Sequence, residues 1–116
     1  MQYEVIVVGS GPSGAEVARL SATKGKRTAL VTATPPGGRA TVGSLLPSKV
    51  WLHSTTTRPS NTPAAIRSIA ESVRASISER SSYVERDLKT AGVDVIRGEA
   101  RFTGDHEITV DGDSGR

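Results

Sequence analysis

Three glycines, Gly9, Gly11 and Gly14, follow directly on the apolar run Val5-Ile6-Val7-Val8 and have the spacing that cradles a pyrophosphate. Gly9 permits a tight exit from a strand, Gly11 lets the backbone approach a phosphate with no Cβ in the way, and Gly14 lets a helix pack closely on the strand. The helix that starts at Pro12-Ser13 turns its free N–H groups and positive dipole end toward the anion. Pro12 costs little there, because its missing N–H falls in the first turn. A glycine turn between strand and helix also occurs with no ligand. In the context of strand, turn, helix and strand the triad predicts dinucleotide binding.

Other residues bear on the same chemistry. The end of the second strand, where a carboxylate usually accepts hydrogen bonds from ribose hydroxyls, is Thr32. A hydroxyl makes one or two such bonds and offers no bidentate anion. Weaker cofactor binding or tolerance of a 2′-phosphate would follow; a strand-end threonine with no ligand role is the alternative. Arg39 carries a forked guanidinium of the kind that pairs with a pyrophosphate; a surface arginine is the alternative. His53 and His106 read as surface histidines. The chain has no cysteine, so no disulfide, thiolate nucleophile or zinc-thiolate site can form, and no metal site is expected.

The elements that must position these groups follow from pattern. Tyr3 to Val8 reads as a buried parallel strand, apolar on both faces. Residues 13 to 24 read as a helix with Ala15, Ala18 and Ala22 on its packed side, and Arg27 to Val31 as a second strand, so residues 1–32 form a βαβ unit. Thr34 to Gly38 is a turn cluster, Ser48 to Ser54 a short helix beginning near Pro47, and Thr55 to Pro63 a loop. Ile66, Ile69, Val73, Ile77, Val84 and Leu88 predict a long amphipathic helix over residues 64–91, ended by Gly92 and interrupted at Ser81. Residues 93–116 then read as strands: Val93 to Ile96, with Glu99 to Thr103 and Glu107 to Val110 forming a hairpin around Gly104-Asp105. The fold class is α/β, a Rossmann-like domain with a parallel sheet, incomplete in these residues.

Length and charge limit the alternatives. The 116 residues hold one small domain or part of one, and at 35% apolar the core is thin unless a further segment or a cofactor completes it. Residues 1–58 carry seven Lys/Arg against two Asp/Glu, and residues 59–116 carry eight against ten, so the positive charge lies with the glycine loops. One Trp, two Tyr and one Phe, widely separated, give no stacking platform, so no nucleic-acid partner is expected. No apolar run has membrane-spanning length and the first strand leaves no space for a cleaved signal. A cytoplasmic location is expected.

Gly37-Gly38-Arg39-Ala40-Thr41-Val42-Gly43-Ser44-Leu45-Leu46-Pro47-Ser48-Lys49 resembles the active-site segment of the flavoprotein disulfide reductases, the dihydrolipoamide dehydrogenase and glutathione reductase family. The family pattern runs Gly-Gly-Thr-Cys, four residues, Cys, then aliphatic-Pro-Ser-Lys. The tail Gly92-Val93 and Gly98-Glu99-Ala100-Arg101-Phe102 is similar too, so the resemblance covers essentially the whole chain as the N-terminal portion of a FAD-binding domain, with residues 37–54 its modified active-site segment. It implies FAD as cofactor and NAD(P)H as co-substrate. It implies further that Gly9, Gly11, Pro12, Ser13, Gly14, Thr32, Gly38 and Arg39 contact the cofactor, that Gly98 and Ala100 lie by its adenine, and that Lys49 sits beside the flavin ring.

The two redox-cysteine positions of the family are Ala40 and Leu45, neither of which can form a thiolate or a mixed disulfide. The family's catalytic His and Glu have no counterpart within residue 116. The expectation is an NAD(P)H-dependent flavin oxidoreductase that passes electrons to a quinone, a dye or a second nicotinamide. Its partners would be the remainder of the flavoprotein and, by resemblance, a second copy in a homodimer. A non-catalytic FAD- or nucleotide-binding or subunit-interaction module is the alternative, and a simple NADP-binding Rossmann protein a third reading that the Pro47-Ser48-Lys49 segment argues against.

Overall fold

A computed structural model describes residues 2–57 and 62–112. Strand β1 (Val5–Val8) leads through the glycine turn into helix α1 (Pro12–Thr23), which returns to strand β2 (Thr28–Thr32). A π-helical turn (Arg39–Gly43) precedes helix α2 (Leu45–Thr57) and helix α3 (Pro63–Thr90), and the chain continues through strands β3 (Val93–Arg97), β4 (Glu99–Gly104) and β5 (Glu107–Asp111). Three strands form a parallel sheet in the order β1-β2-β3, with Val5 opposite Thr28 and Thr28 opposite Val93. β4 and β5 pair antiparallel as the predicted hairpin.

β2 lies in the middle of the sheet and every one of its residues is buried. One face of the sheet receives α1 and α3: Ala18, Leu30, Leu88 and Val93 form the central cluster, and Val7, Ala15, Ala22, Val84 and Val95 pack around it. The alanines let α1 approach the strands closely, which is what their helical spacing predicted. α3 starts at a capped end, where the Thr62 hydroxyl accepts the Ala65 N–H at 3.2 Å and Pro63 occupies the first turn. It buries Ile69, Val73, Ser81 and Leu88, while Ile66 stays 47% exposed.

Three expectations are corrected. β1 is not buried on both faces: it pairs only with β2, and Ile6 and Val8 remain exposed, because no described element covers that side. The short helix expected at Ser48 to Ser54 is α2, thirteen residues from Leu45 to Thr57. Pro47 sits in its first turn, where no intrahelical N–H is needed, so the helix begins before the proline rather than at it. Thr55 to Thr57 are therefore helical rather than loop; residues 58–61 lie outside the described residues.

Glu85 fastens α3 to the sheet. Its carboxylate accepts hydrogen bonds from Lys89 Nζ at 2.8 Å and from Arg97 Nη2, at the end of β3, at 3.0 Å. The Lys89 ammonium, helped by the Arg97 guanidinium, holds the Glu85 carboxyl below its ordinary value of 4.5. A carboxyl whose native pKa is depressed stabilises the fold above its unfolded pKa, and loses that contribution as pH falls through the native value. Glu85→Gln is therefore expected to cost about 0.5 kcal/mol at pH 7 and progressively less as the pH is lowered below 4.5, in urea unfolding across a pH series.

Candidate functional site: the glycine cleft

The turn after β1 and the segment after β2 meet to form one cleft of about 560 Å³, lined by Gly9, Ser10, Gly11, Pro12, Thr32, Thr34, Gly38, Arg39, Ala40, Val42 and Gly43. Two sequence motifs separated by more than twenty residues are thus brought together. Backbone contacts fix the join: Gly9 N–H donates to Val31 O at 2.8 Å, and Gly37 N–H donates to Ser10 O at 3.0 Å. Gly38 has φ +62°, and a Cβ there would stand 2.7 Å from Gly11 Cα, so the second motif seats against the first only as glycine.

The wall suits a diphosphate. A Cβ at Gly11 would meet no protein atom within 4 Å, so the space beside it is open to a ligand. Helix α1 begins at Gly11 and Pro12, with no acidic residue in its first turn to compete with an anion. The backbone N–H groups of Ser13 and Gly14 have no intrahelical acceptor by their position. Arg39 is the one charged side chain among the lining residues. The residues present therefore fit the pyrophosphate of a dinucleotide, which the α1 N-terminus and Arg39 would hold. Arg39→Ala is expected to weaken ADP binding about tenfold and to flatten its salt dependence, as read by calorimetry at two ionic strengths.

Not every sequence-predicted residue lines this cleft. Ser13 is exposed in the first turn of α1, and Gly14 lies at the contact between α1 and β1. Lys49 is exposed on α2, outside the cleft, and His53 is exposed one turn further along the same helix. Gly98 donates its N–H to Thr32 O at 3.0 Å, which sets the start of β4, and with it Ala100, beside the end of β2. His106 is exposed at the β4–β5 turn. Among the described residues no group of three His, Cys, Asp or Glu side chains could hold a metal ion, and no helix is long and apolar enough to cross a membrane.

One feature was not foreseen. Arg39 to Gly43 form a π-helical turn, closed by Ser44 N–H donating to Arg39 O at 2.8 Å. Such turns recur at functional sites. Here it presents Arg39, Ala40, Val42 and Gly43 to the cleft, while Thr41 is buried against Gly37. Leu45, the other former cysteine position of the resembling family, opens α2 and is 59% exposed.

Known proteins decide the family. The pyridine nucleotide-disulphide oxidoreductase family matches residues 3–115. The chain belongs to that family. A dihydrolipoyl dehydrogenase of Chlorobaculum parvum is 35% identical across 98% of this chain, and a soluble pyridine nucleotide transhydrogenase of Marinobacter nauticus is 26% identical across 95%. The flavoprotein disulfide reductase RclA of Escherichia coli superposes with a TM-score of 0.82 at 24% identity over 98% of the chain. LpdA of Mycobacterium tuberculosis gives the same TM-score at 23% identity over 97%. These structures establish the fold, the Rossmann-like region of flavoprotein reductases. The chain spans about a quarter of the length of these relatives, 27% of each curated protein and 25–28% of the two structures.

Proposed function

We propose that this chain is the FAD-binding portion of an NAD(P)H-dependent flavin oxidoreductase whose electrons go to a non-disulfide acceptor: a quinone, a dye or a second nicotinamide. The observation that carries this reading is the pairing of an intact glycine cleft with Ala40 and Leu45 at the positions where the family has its redox cysteines. FAD, when bound, supplies two-electron exchange between a nicotinamide and an acceptor. The chain's own residues bind and orient it. Ser13 and Gly14 offer backbone N–H groups, Gly9, Gly11 and Pro12 allow close approach, Gly38 seats the second motif, and Arg39 pairs with the pyrophosphate. Gly98 and Ala100 flank the adenine, and Lys49 serves the flavin ring as a cation. Residues 1–116 would then be the N-terminal part of a FAD domain within a larger, homodimeric and cytoplasmic protein.

The visible spectrum of the natively purified protein tests this. Flavin absorption that bleaches on adding NADH or NADPH and returns with a quinone is expected; a colourless protein that takes up no added FAD sinks the reading. The exposed position of Lys49, away from the cleft, favours a second reading, a non-catalytic nucleotide-binding or subunit-interaction module. FAD uptake with no bleaching by either nicotinamide would select it.

A further inference from the structure

The hydroxyl at the end of β2 both donates and accepts within the protein. Thr32 is 3% exposed, and its Oγ1 donates its proton to Thr34 O at 2.8 Å. Ser10, also 3% exposed, lies with its Oγ 2.7 Å from Thr32 Oγ1. A threonine hydroxyl has a single proton, so Ser10 Oγ must be the donor of that second bond. Thr32 is left with no proton to offer a ribose oxygen, and with Ser10 on one of its lone pairs and only 3% of the residue exposed at the cleft it has little left with which to accept from one. Ser10 is the middle residue of the Gly9–Gly11 turn, and its carbonyl accepts the Gly37 N–H at 3.0 Å. The side chain and the backbone of Ser10 thus tie the turn to both segments that flank the cleft.

We propose that Thr32 is a positioning residue: through its buried hydrogen bond with Ser10 it fixes the phosphate-binding turn, and it makes no bond to the ribose. A carboxylate at this place would instead face outward and accept from the ligand. In this chain the strand end organises the pyrophosphate subsite and leaves the ribose subsite without an anion. The inference rests on the dinucleotide reading of the cleft.

Calorimetry with two probes, ADP and 2′-deoxy-ADP, tests it on the whole protein. Thr32→Val should weaken both probes by the same factor, about fivefold to tenfold, since one buried hydrogen bond supporting the turn is lost. Ser10→Ala should do the same, and the double variant Ser10→Ala/Thr32→Val should be little worse than either, because the two share one bond. Thr32→Ser should bind as the parent does. If Thr32→Val weakens ADP but leaves 2′-deoxy-ADP unchanged, Thr32 touches the ribose 2′-hydroxyl and the proposal is overturned. If neither single variant alters binding, the pair is passive and the proposal is equally overturned. Should Thr32→Val fail to fold, Ser10→Ala, which removes one oxygen atom, carries the same comparison of probes. A parent protein that binds neither ADP nor FAD overturns the dinucleotide reading itself, a result separable from all of these.

Discussion

Gly14→Ala is expected to abolish dinucleotide binding and to cost about 3 kcal/mol of stability, a fall of about 15 °C in melting temperature. A Cβ at this position runs into the Gly9 carbonyl oxygen and approaches Val7 Cγ1 at 3.3 Å. The first obstacle is backbone, and it cannot swing aside as a long side chain would. Gly9 is itself held, its N–H bonded to Val31 O at 2.8 Å in the continuation of the β1–β2 ladder. Relief therefore requires α1 to slide away from β1, which opens the Ala18, Leu30, Leu88 cluster and carries the helix N-terminus off the cleft. Gly25→Ala is the control. Gly25 has φ +81° but nothing within 4 Å of its Cβ position, at the opposite end of α1, so only backbone strain of about 1 kcal/mol is expected there, with ADP affinity kept. Thermal unfolding and ADP titration of the two variants decide the matter; an ADP affinity in Gly14→Ala within twofold of the parent would refute the packing argument.

The contrast between these two glycines also marks where sequence reading succeeds and stops. Gly14 was legible because a strand, a three-glycine spacing and an alanine-lined helix all demand one packing arrangement, and the observed α1 and β2 fall within a residue or so of their predicted ends. α3 and the β4–β5 hairpin were legible for similar reasons, a sustained apolar stripe and a turn dipeptide. β1 was misread because an apolar run reports that a strand can be covered on both faces, not which segment covers it. The π-helical turn was invisible, since what it depends on is non-local: Gly38 pressed against Gly11, and Gly37 bonded to Ser10. Thr32 shows the same division at atomic scale. Its position along the chain is where sequence alone expects a ribose contact, while its hydrogen bonds with Ser10 and Thr34 are set by how two distant turns meet.

With NADH or NADPH as donor, the complete protein is expected to reduce a quinone or a dye, and to reduce lipoamide or glutathione disulfide at least about a thousandfold more slowly. Reduction of a disulfide by this family's route needs a thiolate that attacks sulfur and a second thiol that releases the product. The two side chains standing at those places are a methyl group in the cleft wall, Ala40, and a largely exposed isobutyl group, Leu45 at the start of α2. Neither can ionise or form a bond to sulfur, and no other residue of the chain can replace them, because it contains no cysteine. What remains on that wall is Ala40 with Val42, small and apolar, beside a single guanidinium at Arg39. Such a wall offers no nucleophile with which to attack a disulfide. Steady-state oxidation of the nicotinamide, followed in parallel with the disulfides and with a quinone, separates the two routes. Lipoamide turnover at a rate near that of the quinone would place a reactive cysteine pair elsewhere in the assembly and remove the reason for assigning a non-disulfide acceptor.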